Sequence, residues 1–181
     1  MKLKLLILVL ALQSAWLLGT VAVQEHALVT GKVILLETAR VDPRDLLRGD
    51  YLILNYKISD VPMNLFSPPV IKDLPDGTKI YVALAPATNQ FYAVVKASTN
   101  EFTPAADEVL LKGISVWPRW NAATNSIHVE YGLERFYVAE GTGNPTGKLT
   151  AQVVVPASGR VRVREVFVDG KPYAEAMKER R

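Results

Sequence analysis

The run DYLILNYKIS at residues 50–59 decides the fold class of this chain. Apolar or aromatic side chains occupy every second position on one face, which carries Leu52, Leu54, Tyr56 and Ile58. The opposite face carries Tyr51, Ile53, Asn55 and Lys57. A period of two residues is that of a β-strand with one side in a core. The run therefore predicts a strand whose inner face is the one that carries Leu52.

Strand-like runs recur on both sides of this one, at 32–40, 79–87, 90–98, 109–117, 126–138, 148–156 and 160–169. Thr88-Asn89 and Ala157-Ser158-Gly159 each suit the turn of a hairpin, and Gly132 suits a bend. The stretch 60–78 is rich in proline and is predicted to be a long connection that ends in the turn Pro75-Asp76-Gly77. Short strands at this spacing favour an all-β domain, either a β-sandwich or a partly open β-barrel.

Leu5–Val23 contains no charged residue and follows Lys2 and Lys4. About 20 apolar helical residues span the hydrocarbon core of a bilayer, so the segment predicts one N-terminal transmembrane helix. The lysines before it and Glu25 after it place the N-terminus in the cytoplasm and the domain in the periplasm, with the helix in the inner membrane. A cleaved signal peptide, cut after Thr20-Val21-Ala22, is the alternative.

The predicted organisation is an anchor at 1–23, a β-rich domain at 24–170 and a short charged tail at 171–181. The helix is expected to continue for a turn or two until Gly31 ends it. The chain has no cysteine, which excludes disulfides, thiolate metal sites and a cysteine nucleophile. Without Lys2 and Lys4 its net charge falls from +3 to +1, with 19 basic residues against 18 acidic ones (21 − 2 = 19). A nearly neutral domain does not predict nucleic-acid binding, which needs a concentrated basic face.

The charged segment at the start of the strand predicted at 50–59 is one candidate for binding a partner. Residues 42–49 predict a capped helical turn, because Asp42 suits the N-cap, Pro43 the first helical position and Gly49 the left-handed C-terminal position. The charged rim that would meet a partner consists of Asp42, Arg44, Arg48 and Asp50. In the structural alternative, Asp50 only accepts hydrogen bonds from the amides of the turn.

Trp117-Pro118-Arg119-Trp120 is the second candidate, because Trp117 and Trp120 on either side of Arg119 suit stacking on a sugar or clamping a peptide. Alternatively, these tryptophans cover one end of the core. The proline-rich connection adds the apolar residues Met63, Leu65, Phe66, Val70 and Ile71. They would form an exposed patch for a partner or the bilayer surface, or pack over one end of a sheet.

We predict no catalytic, metal-binding or cofactor-binding residue. Residues 141–148 partly match a phosphate-binding loop, but Thr142 and Leu149 stand where that pattern needs a glycine and a hydroxyl residue. His128 and Glu130 share one face of a strand, which suits a half-exposed strand as well as a metal site. A carboxylate pair for hydrolysis stays open, because 18 acidic residues always offer some pair.

Residues 49–56 match the motif of the GDYXXLXY family letter for letter, with Gly49, Asp50, Tyr51, Leu54 and Tyr56 at the specified positions. Residues 41–46, 131–141 and 166–173 are similar to further segments of the same family. The resemblance implies a bacterial or archaeal membrane-anchored protein of unknown function, encoded beside a multi-pass membrane protein. It brings no catalytic residue to this chain.

Our leading hypothesis is a non-enzymatic interaction module, anchored by its helix, that binds a multi-pass membrane protein. The alternatives are an envelope hydrolase that uses a carboxylate or the region of His128, and a β-domain that binds a small ligand. A deep polar pocket with converging ionisable groups would favour the hydrolase, and a closed apolar cavity would favour the ligand binder. A flat or apolar-edged face would favour the module.

Overall fold

The computed structural model describes residues 2–38, 51–69, 74–116, 125–138, 145 and 147–179. Among these residues, two α-helices flank the strands, α1 at Lys2–Thr30 and α2 at Tyr173–Lys178. The strands of the described residues are β1 Lys32–Glu37, β2 Tyr51–Ile53, β3 Asp60–Pro62, β4 Lys79–Pro86, β5 Tyr92–Ser98, β6 Val109–Ser115, β7 Ser126–Glu130, β8 Arg135–Tyr137, β9 Leu149–Val155, β10 Arg162–Val168 and β11 Lys171–Pro172. One N-terminal helix followed by β-structure confirms the predicted fold class.

The strands pair antiparallel in three sheets. One sheet has the order β1-β9-β10-β11, another has the order β3-β7-β6-β4-β5, and β2 pairs with β8. One isolated bridge joins Thr38 to Tyr56, and another joins Phe66 to Ala97 of β5. Buried side chains from all three sheets form one cluster, so the strands share a single core.

The strand predicted at 50–59 is only partly correct. Leu52, Leu54, Tyr56 and Ile58 are all buried, as the alternation predicted. However, β2 ends at Ile53, and Lys57–Ser59 form a 3₁₀ turn in which the Ser59 amide donates to the Tyr56 carbonyl, 3.0 Å away. The turn redirects the chain into β3, so the inward-facing residues do not belong to one straight strand.

The prediction that 60–78 lacks regular structure is wrong at its beginning. β3 pairs with β7, placing Asp60 opposite His128. β3 lies at the edge of its sheet. Pro62 has no amide hydrogen, and an edge strand can accommodate it without loss of a hydrogen bond between interior strands. The closing turn is confirmed, because the Thr78 amide donates to the Pro75 carbonyl at 3.2 Å and Gly77 has a φ of 78°.

The two predicted hairpins are confirmed as β4–β5 and β9–β10. The predicted bend is also confirmed: Gly132, with a φ of 78°, lies between β7 and β8, which belong to different sheets. A positive φ is readily adopted only by glycine. This residue therefore lets the chain leave the five-stranded sheet and pair with β2.

The residues after Gly170 fold against the domain. In α2 the side chains of Tyr173, Ala176 and Met177 are buried. The Tyr173 ring meets Phe136 edge-on, with 6.1 Å between ring centroids. The C-terminal helix therefore closes one part of the core.

α1 stands apart from this core. It ends at Thr30, as predicted, where the hydroxyl donates to the His26 carbonyl at 2.7 Å. Lys4–Thr30 is long and apolar enough to cross a membrane, and none of its most apolar window is buried against the rest of the protein. Because β1 begins at Lys32, the helix leads directly into the first strand.

Candidate functional site

The described part of the sequence motif is built into the core. Leu54 is fully buried, and its amide donates to the Glu134 carbonyl at 2.8 Å. Tyr56 is also buried, and its hydroxyl donates to the Leu133 carbonyl at 3.1 Å. Tyr51 is half-buried beside Tyr137, with 6.1 Å between ring centroids. These three residues connect the motif strand to the segment after Gly132, which is a structural role.

The loop beyond Gly132 is fixed by a second tyrosine. The Tyr131 hydroxyl donates to the Ile58 carbonyl at 2.8 Å, and its amide donates to the Glu134 carboxylate at 2.6 Å. Burial, reinforced by the charge of Glu134, raises the pKa of both Tyr56 and Tyr131. Both hydroxyls therefore stay protonated and act as hydrogen-bond donors.

The predicted partner-binding residues lie outside the described residues. These are Asp42, Arg44, Arg48, Asp50, Trp117, Arg119 and Trp120, together with the motif glycine Gly49. Their role as a charged and aromatic binding surface stays a prediction. In the proline-rich connection, Phe66 is buried and Met63 and Leu65 are half-buried, whereas Val70 and Ile71 are outside the described residues. Phe66 thus packs on the core.

A carboxylate held between two lysines marks the end of β1. Glu37 lies 2.6 Å from the Lys148 ammonium through one oxygen and 2.8 Å from the Lys57 ammonium through the other. Hydrogen bonds from Lys148 and then Lys57 lower the pKa of the Glu37 carboxyl. Glu37 therefore stays ionised and is unsuited to act as a proton donor, which needs a raised pKa.

Glu37 and Lys57 line an open cavity of about 270 Å³ between the end of β1 and the β4–β5 hairpin. Its wall includes Asp60, Phe91 and Tyr92. Lys148 does not line the cavity but lies beside it, with its ammonium 5.4 Å from the centre of the Phe91 ring. Charged groups next to aromatic rings suit a small polar ligand with an apolar face.

His128 is paired with a residue that the sequence did not suggest. Its Nδ1 lies 2.8 Å from Asp60 Oδ1, across the β3–β7 pair. The partner of His128 is thus Asp60 and not Glu130, two residues away. Within the described ranges, no three His, Asp or Glu side chains are grouped to hold a metal ion. A strand, β9, follows Lys148, as predicted.

The lysine bridges of Glu37 predict a pH-dependent contribution to stability. Because the pKa of the Glu37 carboxyl is lowered in the folded protein, the bridges contribute fully at pH values above its ordinary pKa of 4.5. This contribution is lost as the pH falls through the lower pKa of the folded protein. We expect less than about 1 kcal/mol, because both lysines are more than half exposed and solvent screens such pairs. Glu37→Gln should flatten the acid limb of the stability profile, which is the fall in the urea concentration at the unfolding midpoint as the pH is lowered.

Glu175→Gln, at an exposed position of α2, is the matched control and should leave that limb unchanged. An acid limb equally steep in the Glu37→Gln protein would show that the two bridges do not form in solution.

A second surface lies where α1 meets the domain. Lys32, Phe102, Pro104 and Pro156 are among the residues that line an open groove of about 580 Å³. The Lys32 ammonium donates to the Asp107 carbonyl at 2.9 Å. Arg162, at the start of β10, donates to the Gln24 side chain of α1 at 3.3 Å. This hydrogen bond connects the domain directly to the helix.

Sequence reasoning missed both surfaces. Glu37, Lys57 and Lys148 are far apart in the chain, and no spacing rule connects them. The signal that existed was weaker: Glu37 was an interruption in an otherwise apolar strand run. Arg162 belonged to a strand pattern that gave no hint of a contact with Gln24.

Comparison with known proteins identifies one family. The family model described as GDYXXLXY protein matches residues 13–167, which is most of the chain. No curated protein and no solved structure matches it.

Proposed function

The chain belongs to the GDYXXLXY family, and from that premise we propose that it is a membrane-anchored, non-enzymatic module. Its β-domain lies outside the cytoplasm and binds a multi-pass protein of the same membrane. The family match supports the relationship, and the exposed apolar surface of α1 supports the membrane anchor.

The uncovered surface of α1 is the observation that carries this proposal. Trp16 is 73% exposed and Leu18 is 70% exposed, and neither has a cover within the described domain. Apolar surface left in water costs about 25 cal/mol per Å². A bilayer removes that cost for the whole helix, whereas the domain does not.

The charges at the two ends of the helix support the proposed orientation. Lys2 and Lys4 precede the apolar stretch and Glu25 follows it. Basic residues near the end of a spanning helix favour the cytoplasmic side. The domain then lies on the opposite side, which is the periplasm if the helix crosses the inner membrane.

Confinement to a membrane supports a partner within that membrane. Anchoring both proteins in one bilayer raises the effective concentration of each near the other, so a weak surface contact is sufficient. The family resemblance implies a neighbouring multi-pass protein as this partner. The surfaces proposed to meet it are the charged rim, which includes Arg44 and Arg48, and the segment containing Trp120.

The proposal predicts that the full chain, crosslinked in intact membranes and then purified in detergent, retains a multi-pass membrane protein. Arg44→Ala, Arg48→Ala and Trp120→Ala should each lower recovery of that protein, by about tenfold or more if the residue is an interface hot spot. Lys79→Ala, at an exposed lysine that begins β4, is the control and should leave recovery unchanged.

Equal recovery with all the alanine variants would place the interface elsewhere on the domain. Purification without any membrane protein would defeat the proposed function. If the chain instead retained a small polar solute, the cavity next to Glu37 would be its binding site, and the ligand-binding alternative would be favoured.

A further inference from the structure

We propose that the groove end of the domain rests on the membrane, with Arg162 in contact with phospholipid phosphates. The groove end consists of Lys32, the turn Ala157–Gly159, Arg160 and Arg162. This inference rests on the proposed function, because it requires α1 to span the bilayer. It adds an interaction surface and commits to one occupant, the headgroups of anionic phospholipids.

The length of α1 sets the height of the domain above the bilayer. The 19 residues Leu5–Val23 rise about 28 Å, which is close to the ~30 Å of the hydrocarbon core. Gln24–Thr30 add about 10 Å, and a headgroup layer is roughly 5–7 Å thick. The domain therefore begins just above the headgroups, at Gly31.

The Arg162 side chain extends back below this level. Its strand begins above the headgroups, but its guanidinium lies 3.3 Å from the Gln24 side chain. Gln24 is the first residue after the apolar stretch, at the hydrocarbon boundary. The guanidinium is thus placed within the layer that contains the lipid phosphates, and only one of its five donors is used by Gln24. Arginine binds phosphate with two parallel hydrogen bonds, so the remaining donors suit this layer.

The charges around Arg162 are consistent with an anionic surface. Arg160 is exposed two residues before it, and Lys32 begins β1, which is separated from β10 by β9. One nearby carboxylate is offset by a lysine, because Glu101 lies 2.8 Å from the Lys112 ammonium.

The groove adds apolar surface at the same end of the domain. Its lining includes the half-buried side chains of Phe102, Pro104 and Pro156. A surface with basic residues next to half-exposed apolar ones is suited to the membrane interface, where it meets phosphates and the upper acyl chain together.

Because the chain has no cysteine, one introduced cysteine can be labelled uniquely. The experiment places a fluorophore on Val23→Cys, Ser158→Cys or Ala174→Cys in the full chain. Each protein is reconstituted in vesicles of equal parts phosphatidylcholine and phosphatidylglycerol that contain headgroup-spin-labelled lipid. Ser158 lies in the groove-end turn, whereas Ala174 lies in α2 at the far end of β10. We expect strong quenching at Val23 and Ser158 and weak quenching at Ala174.

Arg162→Ala should lower the ratio of docked to undocked protein about fivefold, as measured by quenching of the label on Ser158→Cys. This is the effect expected of one basic residue near an anionic surface. The same substitution should leave quenching at Val23 unchanged. Lys79→Ala is the matched control, because Lys79 lies at the opposite end of β4 from the Leu84–Val109 pair beside the groove. Vesicles of phosphatidylcholine alone should reduce quenching at Ser158.

The labels also separate the two proposals. Quenching at Val23 with equal, weak quenching at Ser158 and Ala174 would overturn membrane docking and leave the anchor intact. An unquenched Val23 label would defeat the anchor itself. Strong quenching at Ser158 that does not change with Arg162→Ala would overturn the phosphate contact.

Discussion

Arginine at positions 12 and 16 together should remove the chain from the membrane. Leu12 and Trp16 lie one turn apart near the centre of the apolar stretch, and both are exposed. Each arginine at the centre of a spanning helix costs about 2.5–3.5 kcal/mol on the insertion scale, so the pair costs roughly 5–7 kcal/mol. The measurement is the alkali-resistant membrane fraction, together with the activity of alkaline phosphatase fused after Arg181.

The unmodified fusion should be retained in the membrane and active, because the enzyme folds only outside the cytoplasm. The Leu12→Arg, Trp16→Arg fusion should lose both properties, whereas Leu12→Ile with Trp16→Phe should keep them. An active fusion that is shortened and released would favour the cleaved signal peptide. An inactive but retained fusion would reverse the proposed orientation.

Leu54→Ala should destabilise the domain by about 2–5 kcal/mol, which is the range for a fully buried leucine. Leu54 has no solvent exposure and lies in the cluster shared by all three sheets. Such a loss is a large part of the 5–15 kcal/mol that holds a typical domain together. It can be measured as the free energy of unfolding of the full chain in detergent, with urea as the denaturant.

Ile53→Ala is the matched control, because Ile53 is the adjacent residue and is only half-buried. It should cost less than Leu54→Ala. Tyr56→Phe should cost about 1–3 kcal/mol, because it removes the donor to the buried Leu133 carbonyl. A larger effect at Ile53 than at Leu54 would contradict the assignment of the inner face.

The fold class could be predicted because a strand with one buried face shows a local pattern, in which every second residue is apolar. The alternation around Leu54, the turn at Gly77 and the hairpins are each encoded by neighbouring residues. β3 could not be predicted in the same way, because it has three residues, includes Pro62 and exists only through its pairing with β7. The early end of β2 likewise depends on a 3₁₀ turn that the alternation conceals.

The candidate surfaces were harder to predict than the fold. His128 was considered together with Glu130 because they are two residues apart, but the structure pairs it with Asp60 from another strand. The pairing of Glu37 with Lys57 and Lys148 was missed in a similar way, because the three residues come from distant parts of the chain. By contrast, the motif itself pointed to Leu54 and Tyr56 as core residues, because apolar periodicity is a local signal.

The pairing of β1 has a consequence for how the protein is made. β1 leaves the helix at Lys32, yet its ladder partner begins at Leu149, and Lys32 is opposite Val155. If the helix is inserted first and the domain is exported, β1 stays unpaired at the membrane until residues 149–155 have crossed it. Until then the edge of β1 would be open to chaperones, and the four-stranded sheet could form only after β9 has been made.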